Sequence, residues 1–130
     1  MKAPRWIDRR ALILLQAESL AQHGGLPGFR DENALDAALA RPQHVQAYEP
    51  QVDLARLAAA YGYGIVRDHP FNNGNKRASF LAIGLFLALN GSELSVGQIE
   101  AVETILNVAE GNFSELQLAV WIRKHMKRER

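Results

Sequence analysis

Apolar residues gather in one uncharged run, Ala78 to Leu89, and recur at helical spacing through most of the remaining chain. Within the run, Phe80, Ile83 and Leu87 share one face of a 3.6-residue period, while Leu81, Leu85, Phe86 and Leu89 cover the others. A helix that is apolar all round must be surrounded by other helices, so this run predicts a buried central helix ending at Asn90-Gly91. It is shorter than the roughly 20 residues needed to cross a bilayer.

Trp6 to His23 predicts a first helix, with Ile7, Leu12, Leu15 and Leu20 on its apolar face, Asp8 as N-cap and Gly24-Gly25 as the stop. After the turn Leu26-Pro27-Gly28-Phe29, Asp31 or Asn33 is expected to cap a short helix through Leu35, Ala38 and Leu39 that ends near Pro42. An irregular loop is expected from Gln43 to Gln51, before Asp53 opens a third helix running to Arg67. Gly62 and Gly64 inside that helix predict close contact with neighbouring helices. Ser95 with Gln98 and Ser114 with Gln117 match capping boxes for two further helices, the last running into the basic tail Arg123 to Arg130. No segment alternates with period two for long enough to predict a strand. The pattern amounts to an all-α fold of about six helices, with residues 1–130 forming a single domain.

Composition narrows this only slightly. The 130 residues carry a net charge of +1 with 22% charged residues, so no strong field points to nucleic acid. The basic tail has no interleaved aromatics and reads as a solvated helix end, so direct nucleic-acid binding is not expected. Cysteine is absent, which excludes disulfides and thiolate chemistry. The N-terminus lacks a basic segment leading into an apolar one with a small-residue cleavage site, so a cytoplasmic protein without membrane attachment is expected.

The candidate chemistry lies immediately before the central helix, in His69-Pro70-Phe71-Asn72-Asn73-Gly74-Asn75-Lys76-Arg77. The first N–H groups of a helix have no internal acceptor, and its dipole places partial positive charge there. Gly74 lets a ligand approach the backbone, Asn75 can donate from its side chain, and Lys76 and Arg77 add two full charges. This is a phosphate site in outline. It is not a Walker loop, since neither the spaced upstream glycine nor the Ser/Thr after the lysine is present. A plain capped helix behind an exposed polar loop is the alternative reading of the same residues. His23, His44 and His125 stand singly in polar surroundings, and Arg30 beside Asp31 reads as a local ion pair at a helix start.

His69-Pro70-Phe71 followed by Gly74-Asn75 resembles the core motif of the Fic family, His-Pro-Phe-x-Asp/Glu-Gly-Asn-Gly-Arg-x-x-Arg. Lys76 in place of the second motif glycine, and Phe80 in place of the second arginine, resemble the Doc (death-on-curing) branch. Gly24 to Asp31 and Ala38 to Pro42 are similar to the N-terminal half of Doc-like proteins, and the likeness fades after about Gly91.

The resemblance implies a Fic-fold domain acting as the toxin of a toxin–antitoxin module. The implied activity is an ATP-dependent protein kinase that phosphorylates a hydroxyl of a translation factor such as elongation factor Tu, with a Phd-like antitoxin as partner. The other readings are AMP transfer to a protein hydroxyl and an inactive Fic fold that binds a partner. By resemblance, His69 is the general base, Gly74 and Asn75 hold phosphate oxygens through the backbone, and Lys76 and Arg77 bind and neutralise the transferred group. Phe71 anchors the loop in the core. Asn73 occupies the position where the family usually has a carboxylate for Mg²⁺, and an uncharged amide oxygen is a weaker ligand. Self-inhibition by a helix carrying Ser/Thr-x-x-x-Glu-Gly/Asn is not expected, because Leu106 and Gly28 stand where the hydroxyl residue is required.

Overall fold

Asp8, Asp31, Asp53 and Ser114 each turn a side-chain oxygen back onto the first turn of a helix and satisfy one of its orphan N–H groups. They start α1 (Arg9–His23), α2 (Glu32–Tyr48), α3 (Leu54–Asp68) and α6 (Glu115–His125). Between α3 and α6 lie α4 (Asn75–Leu89) and α5 (Gln98–Ala109). The computed structural model describes residues 3–129.

The most enclosed element is α3, not α4. Ten of its residues are buried, from Ala55 to Val66, and it packs against α2, α4, α5 and α6. In α4, Ala78, Ser79, Ala82, Ile83, Phe86 and Leu87 are buried, but Phe80, Leu81 and Leu85 are only half-buried and Ala88 is exposed. The sequence distinction fails because much of the buried face of α3 is alanine and glycine, which mark a core less plainly than the leucines of α4, of which only Leu87 is buried.

The two α3 glycines make the predicted contacts. A Cβ on Gly62 would fall 2.6 Å from Ile83 Cδ1, and one on Gly64 would fall 3.3 Å from Ala38 Cα. Ser79 reinforces the first crossing by donating to the Gly62 carbonyl at 2.7 Å. Tyr61 is fully buried beside Phe86, and its hydroxyl accepts the Ile7 N–H at 3.1 Å.

Three expectations are corrected. Pro42 does not end α2, which continues to Tyr48 and absorbs most of the expected Gln43–Gln51 loop. An interior proline costs about 3 kcal/mol. Here Pro42 is itself buried with Leu35 and Ala38, and Arg41 and Arg56 both grip Glu115, so tertiary contacts outweigh the local penalty. Ser95 does not cap α5: Gly97 holds that position, and the Ser95 N–H bonds the His125 carbonyl at 2.8 Å. The basic tail is not a simple solvated helix end. Arg123 pairs with Asp53, and Met126–Arg128 forms β2, antiparallel to β1 (Ser92–Leu94), with Glu93 opposite Lys127. Strands of three residues are too short to register as a period-two pattern. Arg130 lies outside the described residues.

Candidate active site

The turn from α3 into α4 is built on a left-handed residue. His69 caps α3 with φ 49° and ψ 60°, making it the one non-glycine residue with positive φ among those described. This region costs a residue with a Cβ on the order of 1–3 kcal/mol, so surrounding bonds must hold it. They come mainly from the 25–31 turn. Phe29 and Phe71 form an isolated β-bridge, with their rings stacked at 5.5 Å. The N–H groups of Arg30 and Asp31 both donate to the Pro70 carbonyl, at 2.9 and 3.1 Å. Asn72 donates from its backbone to Gly28 and from its side chain to the Pro27 carbonyl.

Each predicted site residue has a definite place in this turn. His69, Asn73, Lys76 and Arg77 are exposed, Gly74 and Asn75 are half-buried, and Phe71 is buried in the core. Gly74 caps α4 in the left-handed region with no side-chain cap on the helix. Ala78 is the first residue of α4 whose N–H finds a helical acceptor, the Gly74 carbonyl at 2.8 Å. The N–H groups of Asn75, Lys76 and Arg77 therefore have no acceptor among the described residues. Nor do Lys76 and Arg77 enter any ion pair there. An uncapped helix start with two unpaired cations suits the oxygens of a polyphosphate.

Two side chains are engaged differently from the expectation. The Asn75 amide is closed on the loop: its Oδ1 accepts from the Phe71 N–H at 3.0 Å and its Nδ2 donates to the Phe71 carbonyl at 2.9 Å. That leaves its backbone for a ligand. Asn73 Oδ1 accepts the Leu26 N–H at 2.6 Å, and its Nδ2 donates to the Asn72 carbonyl. Among the described residues no group of three or more His, Asp or Glu side chains could hold a metal. On this donor set, a divalent cation would find one neutral amide oxygen with a lone pair already engaged.

Gln16 and Arg30 were missed as partners of the loop. Gln16 is 4% exposed and donates to the Asn73 carbonyl at 3.0 Å. The hint was a polar residue on the Leu12–Leu20 face of α1. Arg30 does not pair with Asp31; it donates to the carbonyls of Asp68 and His69. Beside the loop runs an apolar groove of about 340 Å³, lined by Ile13, Ala17, Leu20, Pro27, Phe29 and Phe71. His44 lines a different cleft with Arg41, Tyr48 and Asp68, and none of residues 69–77 borders it. His125 is half-buried against Trp121 and Glu100 instead of solvated.

Residues 6–87, which hold both this loop and the turn that braces it, match the Fic/DOC family. The chain belongs to that family. It is similar to the protein kinase doc of Escherichia phage P1, at 32% identity over 92% of this chain and 94% of that protein. It is also similar to the toxin Doc of Mycolicibacterium smegmatis, at 36% identity over 78% of each chain.

Proposed function

We propose that this chain is a Doc-type toxin that transfers the γ-phosphate of ATP to a hydroxyl of a translation factor resembling elongation factor Tu. The observation that carries the reading is the exposed His69 immediately ahead of an α4 start whose first N–H groups and two cations are unpartnered. The relatives named protein kinase doc and toxin Doc support the same chemistry and context.

In this reading the triphosphate lies against the backbone of Gly74 and Asn75, with Lys76 and Arg77 beside it. The target hydroxyl oxygen attacks the γ-phosphorus as its proton passes to the His69 imidazole. The bond from the γ-phosphorus to the bridging oxygen breaks, and ADP leaves. Lys76 and Arg77 balance the charge that accumulates on the transferred group and the leaving phosphate. Mg²⁺, carried mainly by the nucleotide's own oxygens, would supply further charge neutralisation, with Asn73 Oδ1 as the protein's modest contribution. The long cationic side chain of Lys76, where AMP-transferring relatives have glycine by resemblance, favours seating the terminal phosphate over the α-phosphate.

An antitoxin, Phd-like by resemblance, completes the reading. The groove lined by Ile13, Ala17, Leu20 and Phe71 offers an apolar seat beside the loop for a segment that covers it. Residues 1–130 then act as one domain in the cytoplasm.

Incubation with ATP labelled at either the α- or the γ-phosphate, with purified elongation factor Tu or a bacterial lysate, tests the proposal. Label arriving on protein from the γ position supports the kinase. Label from the α position establishes AMP transfer, and no label from either leaves a partner-binding Fic fold.

A further inference from the structure

We propose that Arg30 is a positioning residue that sets the orientation of His69, an inference that rests on His69 being the general base. Arg30 Nε donates to the His69 carbonyl at 2.6 Å, and its Nη2 donates to the Asp68 carbonyl. Those two oxygens belong to the peptide planes on either side of the His69 Cα. Holding both planes with one rigid fork fixes φ and ψ between them, and with them the direction of the Cα–Cβ bond that carries the imidazole.

The need for such a clamp follows from the backbone. Helices commonly end on a left-handed glycine, whereas α3 ends on a left-handed histidine. Left to itself, a residue with a Cβ would relax out of that region. The fork also serves the last carbonyls of α3, which have no helical donor. Its base is firm: the Arg30 N–H reaches the Pro70 carbonyl, so Arg30 and Asp31 together grip three successive carbonyls, those of residues 68 to 70. Next to it, Phe29 stacks on Phe71 under the Arg9 guanidinium, and Arg9 is tied in turn to Glu32 and Asp36. Arg30 enters no ion pair among the described residues, so its donors serve backbone and not a carboxylate.

The test uses the full chain with Arg30→Ala and Arg30→Lys, reading γ-phosphate transfer and the NMR signals of His69. A lysine keeps the charge but cannot span both peptide planes, so it should not rescue. In both variants kcat should fall by roughly 10- to 100-fold, the scale of a misplaced catalytic group, with KM for ATP within about twofold of the parent. The His69 amide should exchange faster with solvent, and its ring signals should shift or broaden. A kcat within about twofold of the parent in both variants overturns the proposal. So does a rise in KM alone, or a loss of activity with His69 signals unmoved. If the parent transfers no phosphate, the kinase reading fails by itself. The His69 signals of Arg30→Ala then decide the clamp: altered signals support it and unchanged ones overturn it. If Arg30→Ala does not fold, Arg30→Lys decides by the same readouts.

Discussion

The side chain of Asn75 hydrogen-bonds both polar groups of the Phe71 backbone, accepting from its N–H at 3.0 Å and donating to its carbonyl at 2.9 Å. The first residue of α4 thereby closes the loop into a ring whose floor is the buried Phe71 ring. Asn75→Ala should lower stability by about 1–3 kcal/mol, because it leaves two half-buried backbone groups unpaired. Phe71→Ala should cost more, about 3–5 kcal/mol, by emptying the site under the loop. Chemical denaturation of both variants checks the order. If Phe71→Ala proves the milder change, the ring does not anchor the loop.

His69 is exposed and held in the left-handed region, so its side chain contributes little packing. His69→Ala should reduce phosphate transfer by about 10²–10⁴-fold, the usual worth of a general base, and should relieve growth arrest on expression. His69→Gly should be equally inactive yet fold with a stability within about 1 kcal/mol of the parent, since glycine removes the left-handed strain while loosening the unfolded chain. Growth arrest by either variant at the parental level would remove His69 from the mechanism.

The crossing of α3 over α4 has no room for another carbon. Gly62→Ala would bring its Cβ to 2.6 Å from Ile83 Cδ1 and 3.1 Å from Ser79 Oγ, and should destabilise by about 1–3 kcal/mol. Ile83→Val removes the nearest clashing atom, at its own cost of about 0.5–1.5 kcal/mol. The double variant should be more stable than the sum of the two single changes allows. Additive melting data would show that the clash is absorbed elsewhere.

Asp53 joins two distant parts of the chain, capping α3 through the Arg56 N–H and accepting two bonds from Arg123. The hydrogen bonds from Arg123 hold its carboxyl below the ordinary carboxylate range, assisted by the Arg56 N–H against partial burial. A carboxyl lowered on folding stabilises the protein above its unfolded pKa, and that contribution disappears as pH falls through the folded value. Stability should therefore drop on the acid side below about pH 4. Asp53→Asn, which can still cap the helix, should flatten this acid limb. Parallel acid limbs in the two proteins would assign it to other carboxylates.

Asn73 is the point at which the chain departs from the expected carboxylate. Asn73→Asp keeps an acceptor for the Leu26 N–H but sets a second oxygen against the Asn72 carbonyl that Asn73 Nδ2 now contacts. The variant should lose about 1 kcal/mol of stability and reach half-maximal γ-phosphate transfer at lower Mg²⁺, with a higher rate. Titration of transfer against Mg²⁺ for both proteins is the measurement. An unchanged midpoint and rate would show that this position does not govern the metal.

Much of this protein is written locally. The caps at Asp8, Asp31, Asp53 and Ser114 and the stop at Gly24 depend on a residue and its near neighbours, so the chain alone determines them. What lies between was decided by packing. Pro42 remains inside α2 because burial against α3 and the grip of Arg41 on Glu115 outweigh a broken helical bond, and the partners in both lie far along the chain. The short strands exist because residues 92–94 and 126–128 meet across the fold. Arg30 acts on His69 across a separation of 39 residues. A guanidinium can serve a carboxylate, a phosphate or a helix end equally well, and only the tertiary structure determines which of these it meets.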